Sequence, residues 1–157
     1  MRFMMLMIPK GYENATPGTL PDAKAVAAMM EYNRALQEAG VFLALDGLHP
    51  PSMGARVTFK DGKPQVTDGP FIEAKEVLGG YWMIQVASRE EAIQWATRCP
   101  ASDNEIIEVR QVQEFSDFPA DVQEAAAGFQ EAQTMSSIHK SSKEELTNDP
   151  PKWHIAD

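Results

Sequence analysis

The order of apolar runs and helical stripes in this chain predicts an α+β fold of βαββαβ type, with one inserted β-hairpin and a C-terminal helix and tail. Three observations carry it. Short apolar runs at residues 3–8, 41–45, 79–86 and 106–112 are bounded by Gly, Pro or polar residues and have the length of strands, not helices. Stretches with apolar residues at helical spacing lie between the first and second runs and between the third and fourth. Between the second and third, Asp61-Gly62 separates two β-prone stretches, a strong local signal for a hairpin.

The first strand ends at Pro9, and a loop rich in Gly, Pro, Asn and Thr runs to Pro21. Pro21-Asp22 opens the first helix, because Pro suits the first turn and an acid complements the positive end of the helix dipole. Val26, Met29, Met30, Asn33, Leu36 and Gln37 trace its expected inner stripe, and Gly40 stops it. The second strand is broken by Asp46-Gly47 and then by His49-Pro50-Pro51. Residues 56–60 and 63–67 are the hairpin arms, and Pro64, which cannot donate to a ladder, places the return arm at an edge. Ser88-Arg89-Glu90-Glu91 has the form of a capping box, starting a helix that turns Ala92, Ile93, Trp95 and Ala96 to the core and ends at Cys99-Pro100. Strand, helix, strand, hairpin, strand, helix, strand is the split βαβ pattern of ferredoxin-like folds. This domain is expected over residues 1–115. The extension over 116–157 holds a helix at about 119–133, opened by Pro119-Ala120-Asp121, and then a Ser-, Lys- and Glu-rich tail expected to be mostly flexible.

The strands also bear on assembly. Met4, Leu6 and Ile8 alternate with Phe3, Met5 and Met7, so both faces of the first strand are apolar. Helices of a ferredoxin-like fold cover only one face, and a homodimer pairing face to face would bury the other. Charge narrows the partners. The chain carries 23 Asp and Glu against 14 Lys and Arg, a net −9, with no basic cluster, which argues against nucleic acid as a ligand. Cys99 is the one cysteine, so no internal disulfide forms and a reducing compartment is expected. It reads either as a nucleophilic thiol or, more commonly for a free Cys, as a small buried apolar residue near a helix end. The N-terminal apolar run is too short for a signal peptide and no stretch is long enough to span a bilayer, so a cytoplasmic location without a membrane partner is expected.

Chemistry concentrates in residues 66–82, where carboxylates, a Lys, aromatics and glycines crowd near strand ends. Asp68, beside Gly69-Pro70, reads as a general base if burial raises its pKa, or as a turn cap. Glu73 and Lys75 line a pocket or form a solvated loop pair, and Tyr12, Tyr32, Tyr81 and Trp82 line an aromatic cleft or belong to the core. There is no Gly-rich phosphate loop, no Cys/His metal spacing and no nucleophile elbow, so neither metal nor cofactor is expected, and His49 alone is too little for a metal site.

The same stretch resembles the signature of the DGPF-motif branch of the bacterial YciI-like, or YCII-related, family. The likeness rests on Asp68-Gly69-Pro70-Phe71, Glu73, Lys75-Glu76 and Leu78-Gly79-Gly80-Tyr81-Trp82. Ala39-Gly40, Gly47-Leu48, Pro50-Pro51, Glu91-Ala92, Trp95-Ala96 and Cys99-Pro100 extend it over roughly residues 2–112. The resemblance implies a dimeric α+β barrel with a cleft near the subunit interface. Some relatives are proposed to use a His–Asp pair for acid–base work, and one removes chloride from a hydroxylated aromatic ring. The family's helix-one His falls near Met29 here, which cannot move a proton, so Asp68 and Glu73 become the better polar candidates. Members are often labelled as related to sigma factors or transcription initiation.

Three functions are expected from this. The first is a cofactor-free enzyme acting by acid–base chemistry on a small molecule, aromatic by analogy. Asp68 would be its acid–base group, Glu73 and Lys75 would position substrate, Tyr81 would donate a hydrogen bond, and Tyr12 would line the site. The second is a non-catalytic dimer that binds or senses a small molecule in the same cleft. The third is an interaction module linked to transcription factors, docking through the 119–133 helix and acidic tail.

Overall fold

The computed structural model of the chain describes residues 1–18, 22–71 and 76–126. The chain divides into two compact units, Met1–Val112 and Gln113–Asp157. The first contains β1 (Arg2–Ile8), α1 (Ala23–Glu38), β2 (Phe42–Gly47), β3 (Ala55–Lys60), β4 (Lys63–Asp68), β5 (Gly80–Gln85), α2 (Arg89–Thr97) and β6 (Ile106–Gln111). Four strands form an antiparallel sheet in the order β2-β5-β1-β6. β3 and β4 pair only with each other, as an antiparallel hairpin inserted between β2 and β5. With the hairpin set aside, the element order is the expected βαββαβ.

Local chemistry explains the element ends. Asp22 sits at the N-cap of α1, outside its first turn, and its carboxylate accepts from the backbone N–H groups of Lys24 and Ala25 at 2.8 and 3.0 Å. Ser88 caps α2 by accepting from the Glu91 N–H at 3.1 Å. The Glu91 carboxylate accepts in turn from the Ala87 N–H at 2.9 Å, one residue earlier than a capping box requires. At the hairpin turn, Asp61 and Gly62 both take positive φ, 51° and 73°, the geometry that matches the twist of paired strands.

The core lies on one sheet face. Phe3 and Met5 of β1 and Trp82 and Ile84 of β5 pack against Tyr32 and Leu36 of α1 and against Ala92 and Trp95 of α2. The expected stripe of α1 is rotated. Val26 and Met30 are 42% and 54% exposed and Gln37 is exposed, while Tyr32, Asn33 and Leu36 are buried and Met29 packs partly on the core. The reason is polar satisfaction, which a count of apolar residues does not register. The Tyr32 hydroxyl donates to the Trp95 carbonyl at 2.9 Å, and its ring meets Trp82 edge-on at 5.7 Å and 87°. Burial pushes the Tyr32 phenol well above its usual range. Trp82 Nε1–H donates to Asn33 Oδ1 at 2.8 Å, so Asn33 can be buried at no loss. Replacing Asn33 by Ala is expected to strand that indole N–H and cost about 1–3 kcal/mol. Urea denaturation checks it: the midpoint should fall with the slope unchanged.

β2 runs through Asp46 and Gly47 instead of breaking there, after an irregularity in its pairing between Phe42 and Ala44. Alternation then sorts the other sheet face. Met4, Leu6 and Ile8 of β1, Met83 and Tyr81 of β5, Ala44 and Asp46 of β2 and Ile106, Glu108 and Arg110 of β6 share it by register. Both α1 and α2 contribute to the core on the opposite face. Met4, Leu6 and Met83 are half-buried, and Leu43 and Ile106 are exposed.

In the second unit, Glu114 and Asp117 cap each other's backbone around the turn Phe115–Asp117, and α3 spans Ala120–Ala125. α3 falls within the expected helix at 119–133; the rest of that helix, and the tail, lie outside the described residues.

Candidate functional site

Loops from three places gather at one end of the sheet. The Gly79 N–H donates to the Met7 carbonyl and the Leu48 N–H to the Gly79 carbonyl, both at 2.8 Å, joining the segments that follow β1 and β2 to the start of β5. The Tyr12 hydroxyl donates to the Leu48 carbonyl at 2.7 Å. The turn Tyr12–Asn14 packs on the turn Pro51–Met53, and the Ser52 hydroxyl donates to the Ala15 carbonyl at 3.2 Å. Gly79 and Gly80 permit this crowding. A Cβ at Gly79 would lie 2.5 Å from Pro9 Cγ, and one at Gly80 would lie 2.8 Å from the Asp46 carbonyl oxygen.

Directly beyond Gly80, Tyr81 and Asp46 are cross-strand partners on the open sheet face. The Tyr81 hydroxyl donates to Asp46 Oδ2 at 2.7 Å. This hydrogen bond, then burial, then the Asp46 charge raise the Tyr81 phenol above its usual range. Tyr81 is therefore kept as a neutral donor, and Asp46 retains acceptor capacity for an incoming group. The pair borders the apolar Leu6 and Met83. Sequence reading missed Asp46, which looked like a strand breaker beside Gly47. Its role comes from register, which no local pattern encodes.

The other expected site residues are dispersed. Asp68 is exposed at the end of β4, and Gly69, which follows it, donates its N–H to the Gly54 carbonyl at 2.9 Å. The Gly69-Pro70 peptide is cis, and the Arg56 guanidinium stacks on the Phe71 ring at 4.1 Å. Glu73 and Lys75 lie outside the described residues. Tyr12 borders the loop cluster, while Tyr32 and Trp82 belong to the core. One further polar group stands out there: Glu13 Oε2 is buried without a hydrogen-bond partner among the described residues, while Oε1 accepts from Asn14 Nδ2 at 3.1 Å.

Cys99 packs partly on the core, and burial, helped by Glu105, pushes its thiol up to about 11. A thiol so shifted is a poor nucleophile at neutral pH. Among the described residues no three His, Cys, Asp or Glu side chains gather as a metal-binding group, and no helix is long and apolar enough to cross a membrane.

Comparison with known proteins adds a family and one relative. The sequence model of the YCII-related domain matches residues 1–116. An uncharacterised protein of Rhizobium meliloti (strain 1021) is 33% identical over 75 residues, covering 48% of this chain and 60% of that protein. This chain thus spans less than two thirds of the relative's length.

Proposed function

The chain belongs to the YCII-related domain family, and from that premise we propose that it works as a homodimer that binds a small molecule beside its open sheet face. Tyr81 and Asp46 are the polar anchors of the ligand, and Tyr12 borders the site. The hydrogen-bonded Tyr81–Asp46 pair, set beside the apolar Leu6 and Met83, is the observation that carries this reading. A pocket of this kind takes apolar or aromatic ligands by area and orients them through a few convergent polar groups. The ligand class it suits is a small aromatic molecule with a hydroxyl or amine, since Asp46 accepts and Tyr81, its proton given to Asp46, offers a lone pair.

The catalytic reading is the second. General-base work at neutral pH calls for a carboxyl removed from water. Asp68 is exposed in the single chain, so a second protomer or the substrate would have to cover it. The Glu13 oxygen that lacks a partner among the described residues favours a site that is completed by a donor from outside them, which suits binding and catalysis alike.

Titration of ¹⁵N-labelled protein with a panel of phenols and anilines tests the binding reading. Shift perturbations should cluster at Tyr81, Asp46 and Tyr12, and Tyr81→Phe and Asp46→Asn should each weaken the best binder about tenfold, the equivalent of one hydrogen bond to a charged group. Undiminished affinity in both variants would remove the pair from the site.

A further inference from the structure

We propose that the β3–β4 hairpin is a docking arm that lays its apolar face on a second copy of this chain. The proposal rests on the homodimer of the preceding subsection and names a second surface within it.

The register separates the hairpin's two faces. Val57 pairs with Val66, Phe59 with Pro64 and Ala55 with Asp68, so one face is apolar except at its root. Arg56 pairs with Thr67, Thr58 with Gln65 and Lys60 with Lys63, so the other is polar. Every residue of both strands is exposed, and Phe59, Val66 and Val57 reach 76%, 69% and 53%. An isolated two-stranded hairpin is marginal in water and normally needs its apolar face covered. This hairpin is held at its root, through the Gly69–Gly54 hydrogen bond and the Arg56–Phe71 stack.

Area and charge point to a second copy. The three side chains offer on the order of 300 Å² of apolar surface, against about 800 Å² per partner in a stable interface. The arm is too small to hold a complex alone and large enough to extend one, which fits an auxiliary contact of the sheet-face dimer. At the tip, Lys60 and Lys63 face each other directly across the ladder with the single carboxylate of Asp61 in the turn between them, so the tip is net positive and a further carboxylate would be favourable there. With 23 acids against 14 Lys and Arg, a second copy of this chain is net acidic, the sign that complements such a tip.

The test uses the full chain. Equal amounts of ¹³C-labelled and unlabelled protein are mixed, and isotope-filtered nuclear Overhauser spectra are recorded. Phe59 ring protons and Val57 and Val66 methyls should show contacts between protomers. Phe59→Ser with Val66→Thr, both at exposed positions, should raise the dimer dissociation constant about tenfold in sedimentation velocity. A dimer with filtered contacts only at Met4, Leu6 and Met83, and an unchanged constant in the double variant, overturns the arm and leaves the sheet-face dimer standing. A wild-type chain that stays monomeric overturns both. Loss of anionic-vesicle binding in the double variant, without filtered contacts in the wild type, overturns the proposal in favour of a lipid partner.

Discussion

Replacing Gly69 by alanine is expected to destabilise the protein by about 3 kcal/mol and to lower its melting temperature by roughly 10 °C. A Cβ there would fall far inside van der Waals contact distance of the Pro51 carbonyl oxygen and 2.6 Å from Pro51 C. The obstacle is backbone, so no side-chain rotation relieves it. Pro51 is itself held in place: its carbonyl accepts from the Gly54 N–H at 3.0 Å, Gly54 accepts from Gly69, and Ser52 is tied to Ala15. Retreat of the turn would break this chain of contacts and loosen the root of the hairpin. Overpacking costs about 1–3 kcal/mol where side chains can yield, and a rigid backbone neighbour puts this site at the upper end. Calorimetry measures the loss, and hydrogen exchange at the Gly54 and Gly69 amides locates it. Gly47→Ala is the control, because a Cβ at Gly47 meets nothing within 4 Å. Equal melting temperatures for the two variants would refute the steric account.

In the proposed homodimer, Leu6→Asp is expected to give a folded monomer, with the dissociation constant rising at least about a hundredfold. Leu6 lies on the open sheet face between Tyr81 of β5 and Glu108 of β6. In the single chain it is half-buried, so an aspartate there remains solvated and the core behind the sheet, built on Phe3, Met5, Trp82 and Ile84, is untouched. At the centre of a face-to-face interface the same carboxylate would be desolvated beside Glu108, a like charge that already pairs with Arg110 at 3.8 Å. Sedimentation equilibrium of wild type and variant, with circular dichroism to verify folding, decides the matter. A variant that sediments like the wild type would place any interface elsewhere. Because the Tyr81–Asp46 pair borders Leu6, the same variant also asks whether ligand binding depends on the assembled face.

Much of the architecture was legible because it follows from local rules. The strand runs, the Asp61-Gly62 turn and the two helix starts at Asp22 and Ser88 each answer to chain geometry within a few residues. Errors arose where a distant partner changes the cost of burial. Asn33 faces inward as expected, but Tyr32 joins it because the Trp95 carbonyl satisfies its hydroxyl, and this rotates α1 away from Val26 and Met30. The site was partly visible: Tyr81 and Tyr12 stood out as residues, whereas Asp46 became meaningful only once β2 and β5 were in register.

The sequence by itself determined the element order, the acidic charge and a first strand apolar on both faces, since these depend on composition and period alone. It also marked Asp68-Gly69-Pro70-Phe71 as distinctive, without the reason for its glycine. It took the folded chain to reveal that Gly69 is required by the close approach of Pro51, that Tyr81 is tied to Asp46, and that the hairpin carries an apolar face into solvent. Each of these depends on distances between segments far apart in the chain. Such distances are set by how strands pair and how loops pack, and no window of neighbouring residues contains them.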